Sequence, residues 1–308
     1  MRDLVVALAG MFGKRYTNRQ KTAFINYIRQ RAGKLGDAVR VDRQTVGSRQ
    51  LRNILIGDID RARIVIAAPY DTPSAAVLPG IHYYPMNARK NRRLDSLDRA
   101  LALLIALAFA AAYYFFVLLR FIDAAGDARL LAFIGVFPVV FLAAGFTAGF
   151  ANRNNFSRNT ASVIAALEYR KRFPSREVAV ALLDYSCCGF RGYKNLARYM
   201  GEKKDGKLII ALDCAASEDR LHLHAGKKLA AELKTIADGD AVELHTIDDG
   251  ELPLSALGLF GKCAVLTGGH REAGETVIDN TRCRRDDDID LDKLELMVRT
   301  IAGITDKI

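Results

Sequence analysis

An α/β fold is predicted: a mostly parallel mixed sheet with helices on both faces, interrupted by a two-helix apolar hairpin. Three features of the 308-residue chain predict it. Arg63-Ile-Val-Ile-Ala-Ala-Pro-Tyr-Asp71 and Glu177 to Tyr185 are short continuous apolar runs, which suit strands buried on both faces. Such runs alternate with stretches of helical periodicity, and that alternation implies parallel strands joined by covering helices. The runs Ala100 to Leu119 and Leu130 to Ala151 are free of charge and far longer than a buried strand.

The elements follow in order. Leu4 to Phe12 is apolar but short and runs into Gly13-Lys14-Arg15 without a small-residue cleavage site, so it reads as a structural or interfacial segment. Residues 17 to 33 read as a helix, with Thr17 as N-cap and Phe24, Ile25, Ile28 and Ala32 at helical spacing. A strand pair is expected at Ala38 to Asp42 and Asn53 to Ile56, followed by the strand inside 63–71. Beyond the hairpin, Asn159 to Arg172 and Gly192 to Met200 have helix character and flank the strand at Glu177 to Tyr185. Strand patterns recur at Lys207 to Asp213, Leu221 to His224, Ala241 to His245 and Cys263 to Thr267. Asp290 to Gly303 closes the chain as an amphipathic helix, whose acidic start favours the macrodipole without any ion.

At about 1.5 Å rise per residue each apolar run crosses a hydrocarbon core of about 30 Å. Only Arg120 to Arg129 joins them, so they return antiparallel. Arg89, Lys90, Arg92, Arg93 and Arg99 precede the first run and Arg153 and Arg158 follow the second. The basic side stays in the cytoplasm, which puts both ends of the chain inside and only the turn outside. The expected organisation is a discontinuous α/β domain, 1–98 and 152–308, around a transmembrane hairpin at 99–151. The expected location is the inner membrane, crossed twice, with the soluble domain in the cytoplasm.

Net charge is +10, from 45 Lys and Arg against 35 Asp and Glu. Much of the excess lies beside the hairpin, where anionic lipid is a nearer counter-charge than nucleic acid, so lipid is the expected partner and nucleic acid is not. The five cysteines lack metal-ribbon spacing and read as free thiols. Ligands of such sheets bind beyond the carboxyl ends of the strands, which here are Pro69-Tyr70-Asp71, Ser186-Cys187-Cys188-Gly189 and Asp213-Cys214.

Those exits, together with Arg52 to Thr72, Ser157 to Glu168, Leu182 to Tyr193, Ala211 to Cys214 and Asn280 to Glu295, resemble in order the motifs of the zinc aminopeptidase family, metallopeptidase family twenty-eight. The resemblance implies that family's fold, in which two zinc ions activate a bridging water beside a general-base Glu. It also implies that this chain has lost the chemistry. The first His position is Pro69, and the bridging Asp falls on Ser157 or Arg158. The general-base Glu falls on Ser186, the liganding Glu on Cys187 and the last His on Asn280. Asp213 alone remains as a ligand, and Asp71 has no His to orient. No catalytic residue, metal or other cofactor is therefore expected, and a residual pocket is assigned to Asp71, Cys188 and Asp213.

The expected function is a catalytically inactive, membrane-anchored aminopeptidase-like protein that serves as a binding or scaffold subunit among other membrane proteins. The alternative is a hydrolase, peptidase or amidase, rebuilt on Cys187 or Cys188, since a thiolate near a helix start can act as a nucleophile. His222 and His224 alternate on a strand and share a face, yet no third ligand stands near them in sequence, so they read as the exposed face of a short edge strand.

Overall fold

The computed structural model describes residues 1–47, 49–121, 126–187, 189–216, 220–236 and 241–308, the side chains at 46, 49, 129 and 147 excepted. Nine strands lie among the described residues: β1 Val39–Val46, β2 Arg49–Ile56, β3 Ile64–Pro69, β4 Val178–Leu183, β5 Leu208–Asp213, β6 Arg220–Gly226, β7 Val242–Ile247, β8 Lys262–Glu272 and β9 Glu275–Val277. Their order across the sheet is β1-β2-β4-β3-β5-β8-β6-β7, with β9 paired to β8. The central block β4-β3-β5-β8 is parallel, and so is β6 with β7. β1 with β2, β2 with β4, β6 with β8 and β8 with β9 are antiparallel. The sheet is thus mixed, with its parallel strands at the centre, where both faces need cover.

That cover is helical. α1 Arg2–Val5 runs into a π-helical turn, Val6–Met11, and α2 Asn18–Lys34 follows. Leu4 and Leu8 are fully buried, so the apolar N-terminal segment is part of the core. α2 starts where its sequence says: Thr17 accepts from the Gln20 amide, and the Gln20 side chain accepts from the Thr17 amide. With α7 Ala161–Arg172 and α10 Leu291–Lys307, α2 encloses the core on one face, around Ile66, Val180, Ile210 and Leu223. α8 Arg191–Met200 packs the other face against Val65, Ala179 and Ile209. α9 Lys227–Leu233 sits beside β6 and β7. Asp290 caps α10 by accepting from the amides of Asp292 and Lys293, so that part of the acidic run has a local role.

The apolar insertion differs in detail from its expectation. α3 Ala88–Tyr113 begins eleven residues before the expected boundary at 99, and it continues through a π turn, Tyr114–Leu118, into α4 Leu119–Phe121. Together they make the one helix among the described residues, Ala88–Phe121, that is long and apolar enough to cross a membrane. The return is shorter, an apolar helix over Leu130–Phe146. Gly135 divides it into α5 Asp127–Ile134 and α6 Val136–Ala148, and Gly149 ends it at a φ of +82°. The arms touch through Phe109 and Phe146, whose rings stack at 6.2 Å, and through the Tyr113 hydroxyl, which donates to the Ala132 carbonyl at 2.5 Å. Leu104, Phe116, Phe137 and Phe141 point away from the protein.

The base of α3 is fixed to the α/β domain. Arg282 donates to Asp95 and Asp98, each at 2.7 Å, and Asp98 accepts from the amides of Val77 and Leu78. A second buried pair, Lys21 and Asp184 at 2.5 Å, joins α2 to the end of β4. Asp184 also accepts from the Arg52 amide. Replacing Lys21 with Met leaves this carboxylate buried without its cation, and chemical denaturation should register a loss of about 3–5 kcal/mol. A loss under about 1 kcal/mol would show that the pair is solvated.

Candidate functional site

The strand exits do converge. Asp71 follows β3, Ser186 and Cys187 follow β4, and Asp213 ends β5. Cys188 lies outside the described residues. Pro69 closes β3 in register with Leu183 and offers no side-chain donor atom. Asp71 is buried and accepts from the amides of Ser186, at 2.9 Å, and Cys187, at 3.1 Å. A carboxylate that has no imidazole to orient here holds the turn after β4. Ser186 completes that turn, its Oγ accepting from the Gly192 amide at 3.1 Å and donating to the Asp184 carbonyl. A Cβ on Gly192 would stand 2.4 Å from both Ser186 Oγ and the Asp184 carbonyl oxygen, so the turn requires glycine.

Arg158 fills the centre. It is 2% exposed, and its guanidinium lies 3.7 Å from the centroid of the Tyr83 ring, donates to the Cys187 carbonyl and bonds Thr281 Oγ1 at 3.3 Å. Tyr83 in turn donates its hydroxyl to Asp213 at 2.5 Å. Burial raises the pKa of Asp213, and the Arg158 charge and the Tyr83 hydrogen bond partly offset it. Burial also pushes the Tyr83 hydroxyl well up, with Asp213 adding to the effect, so Tyr83 stays a donor. Of the two residues considered at the bridging position, Ser157 turns away, bonding Asp286 through its amide and hydroxyl at 2.7 and 2.6 Å. Asn280 occupies a left-handed turn at φ 55° beside Thr281.

This arrangement is poor for a pair of divalent ions. One carboxylate remains, it already accepts from a phenol, and a guanidinium shares the space. The cavity that Arg158 lines with His82, Tyr83 and Arg282 measures about 10 Å³. That is room for one water at most. Arg15 closes the site from below. Fully buried, it donates to the Tyr70 carbonyl, the Phe12 carbonyl and Thr160 Oγ1, and burial lowers its pKa to about 10.

The histidines depart from expectation. β6 is flanked by β8 and β7, so it is an interior strand, and His222 and His224 are buried, each 1% exposed. The exposed edge-strand reading is therefore corrected. Further groups with ligating atoms come from the neighbouring strand, because the parallel register sets Glu243 beside His222 and His245 beside His224, and the three that cluster are His222, Glu243 and His245 and not the His222–His224 pair. The alternation Val-Glu-Leu-His at 242–245 carried that signal: period two puts Glu243 and His245 on one face. His270 lies apart, near Glu272 at 3.9 Å.

No protein-family model and no curated protein matches the chain. Solved structures do. A glutaminyl cyclase from Porphyromonas gingivalis superposes with a TM-score of 0.57 at 14% identity, covering 100% of this chain and 98% of that one. A glutaminyl cyclase from Fimbriiglobus ruber gives 0.56 at 13%, covering 100% and 95%. The LapA aminopeptidase of Legionella pneumophila gives 0.54 at 10%, covering 99% and 70%. The chain has the aminopeptidase-like fold that these proteins share.

Two outcomes follow from the site. Replacing Tyr83 with Phe deprives a buried carboxylate of its donor and should cost about 1.5–3 kcal/mol in chemical denaturation. The second concerns pH. Because Asp213 titrates above its ordinary value of 3.8, the folded state keeps a proton that the unfolded chain has released. Its contribution is complete below that ordinary value and is lost as pH rises through the folded pKa. The stability advantage of the parent over Asp213→Asn should narrow as pH rises above 3.8 and through the raised folded value, and a widening gap contradicts the assignment.

Proposed function

We propose that the chain is a membrane-anchored, non-hydrolytic relative of the aminopeptidase-like enzymes, which works by binding and assembly at the cytoplasmic membrane face. The observation that carries this reading is Arg158: a buried guanidinium, stacked on Tyr83 and facing Asp213, takes the space that two metal ions would need. The absence of the resembled family's His and Glu residues at Pro69, Ser186, Cys187 and Asn280 supports it from the sequence side. Cys187 sits in the Asp71-held turn with its carbonyl against Arg158, a position set by the closed network.

The exposed apolar surface supports the membrane part. Leu104, Phe116, Phe137 and Phe141 are 62, 67, 75 and 78% exposed, a cost that water exacts and lipid does not. Arg89, Arg92 and Arg93 line an open groove at the base of α3, well placed for anionic headgroups. We propose a two-pass hairpin, α3 with α4 out and α5 with α6 back, and the basic flank keeps the α/β domain inside.

The glycines within and at the ends of α6 have contacts within the chain. A Cβ on Gly135 would lie 2.1 Å from the Tyr113 hydroxyl, on Gly145 2.9 Å from the Phe150 ring and on Gly149 2.8 Å from Ser74. A partner subunit would therefore meet the large outward residues. Photo-crosslinking amino acids at Leu104, Phe116 and Phe141 test this in intact membranes. We expect adducts with another integral membrane protein at one or more of the positions, and a chain that resists alkaline carbonate extraction. Adducts with lipid alone would overturn the scaffold role, and release by carbonate would overturn the hairpin.

A further inference from the structure

The four-residue cluster on β6 and β7 lies outside the exits and plays no part in the proposal above. His222 Nδ1 stands 2.9 Å from His245 Nε2, and the Glu243 carboxylate reaches both, at 3.6 and 3.7 Å. All three ligand atoms fall within 4.8 Å of one another. We propose that His222 Nδ1, His245 Nε2 and the Glu243 carboxylate hold one divalent ion of the zinc class, with a fourth position left open on the solvent side.

The chemistry of the donors supports this. His222 Nε2 lies 3.0 Å from the Gly269 carbonyl oxygen, which can only accept, so the hydrogen is on Nε2 and the Nδ1 lone pair faces the cluster. A hydrogen bond on the far nitrogen is how ligating histidines are usually oriented. The carbonyl is itself held firmly. Gly269 has a φ of +130°, and a Cβ there would stand 2.7 Å from the Val277 carbonyl oxygen, so β8 requires glycine beside the cluster.

At tetrahedral zinc two nitrogens about 2.0–2.1 Å from the ion lie roughly 3.3–3.4 Å apart, so the 2.9 Å separation opens by a small ring movement. Two imidazoles and a carboxylate favour zinc over the hard cations, which prefer oxygen.

Two neighbours bear on the charge and shape of the site. Arg271 faces the cluster and opposes a cation, but it is drawn away by Thr276 Oγ1 and the Gly274 carbonyl, and the Glu243 charge offsets it. His224 stacks on His245 with ring centroids 4.8 Å apart and bonds Thr276 Oγ1 through Nε2, which braces the His245 ring. Among the described residues β7 has a partner strand on one side only, so an ion shared with β6 would pin this edge. Three protein ligands with an open position also leave a bound water, as in catalytic rather than closed structural sites.

The full chain, purified in detergent and stripped with a chelator, tests the proposal by titration with Zn²⁺ against a chromogenic competitor and with Co²⁺ by visible absorption. His245→Ala and Glu243→Gln are the informative variants, because both residues reach the surface while His222 is buried. We expect one equivalent of metal, the intense visible bands of four-coordinate Co²⁺, and an affinity reduced at least about 10–100-fold in each variant. Absence of saturable binding, or binding that survives both substitutions, would overturn the site and leave a neutral imidazole pair in its place.

Discussion

A guanidinium cannot be buried without compensation, and the centre of this protein is arranged around that requirement at Arg158. Tyr83 supplies a ring face, the residue-187 carbonyl and Thr281 accept hydrogen bonds, and Asp213 supplies the negative charge nearby. Each comes from a different part of the chain, so the single cation draws together the exit of β5, the turn after β4 and the segment before α10. Asp71 fastens the β4 turn from the other side, and Arg15 ties the N-terminal segment beneath β3. The convergence of strand exits common to sheets of this kind is kept, and the space it would give a ligand is occupied by side chains.

The same segment connects the centre to the apolar insertion. Thr281 bonds Arg158, while the next residue, Arg282, clamps Asp95 and Asp98 on α3. Arg282 is 5% exposed and sits at a φ of +65°, a conformation that a non-glycine residue keeps only where its surroundings enforce it. Helix α3 is therefore built into the α/β domain at its base.

Local signals in the sequence located most of the fold. Thr17 with Gln20, the six-residue buried runs of β3 and β4, and Asp290 before α10 depend on neighbours a few residues away, and each was legible. What depended on distant pairing was not. β9 is three residues long and exists because Glu272 meets Glu275 across a tight turn. Tyr83 and Arg282 lie in irregular segments with no periodicity, and their partners are more than a hundred residues away. The second apolar run looked uniform, yet Gly135 breaks it, since hydropathy does not register where a glycine admits a tyrosine hydroxyl. His222 and His224 were found, but their burial and their partners follow from strand order, which periodicity alone cannot supply.

The proposed reading has Arg158 in the place that metal ions would need at the strand exits, and anomalous scattering at the zinc edge from zinc-soaked crystals tests that proposal most directly. No anomalous peak is expected among Asp71, Arg158 and Asp213, and one peak is expected between His222, Glu243 and His245. Two peaks bridged by Asp213, with the Arg158 side chain displaced, would contradict it.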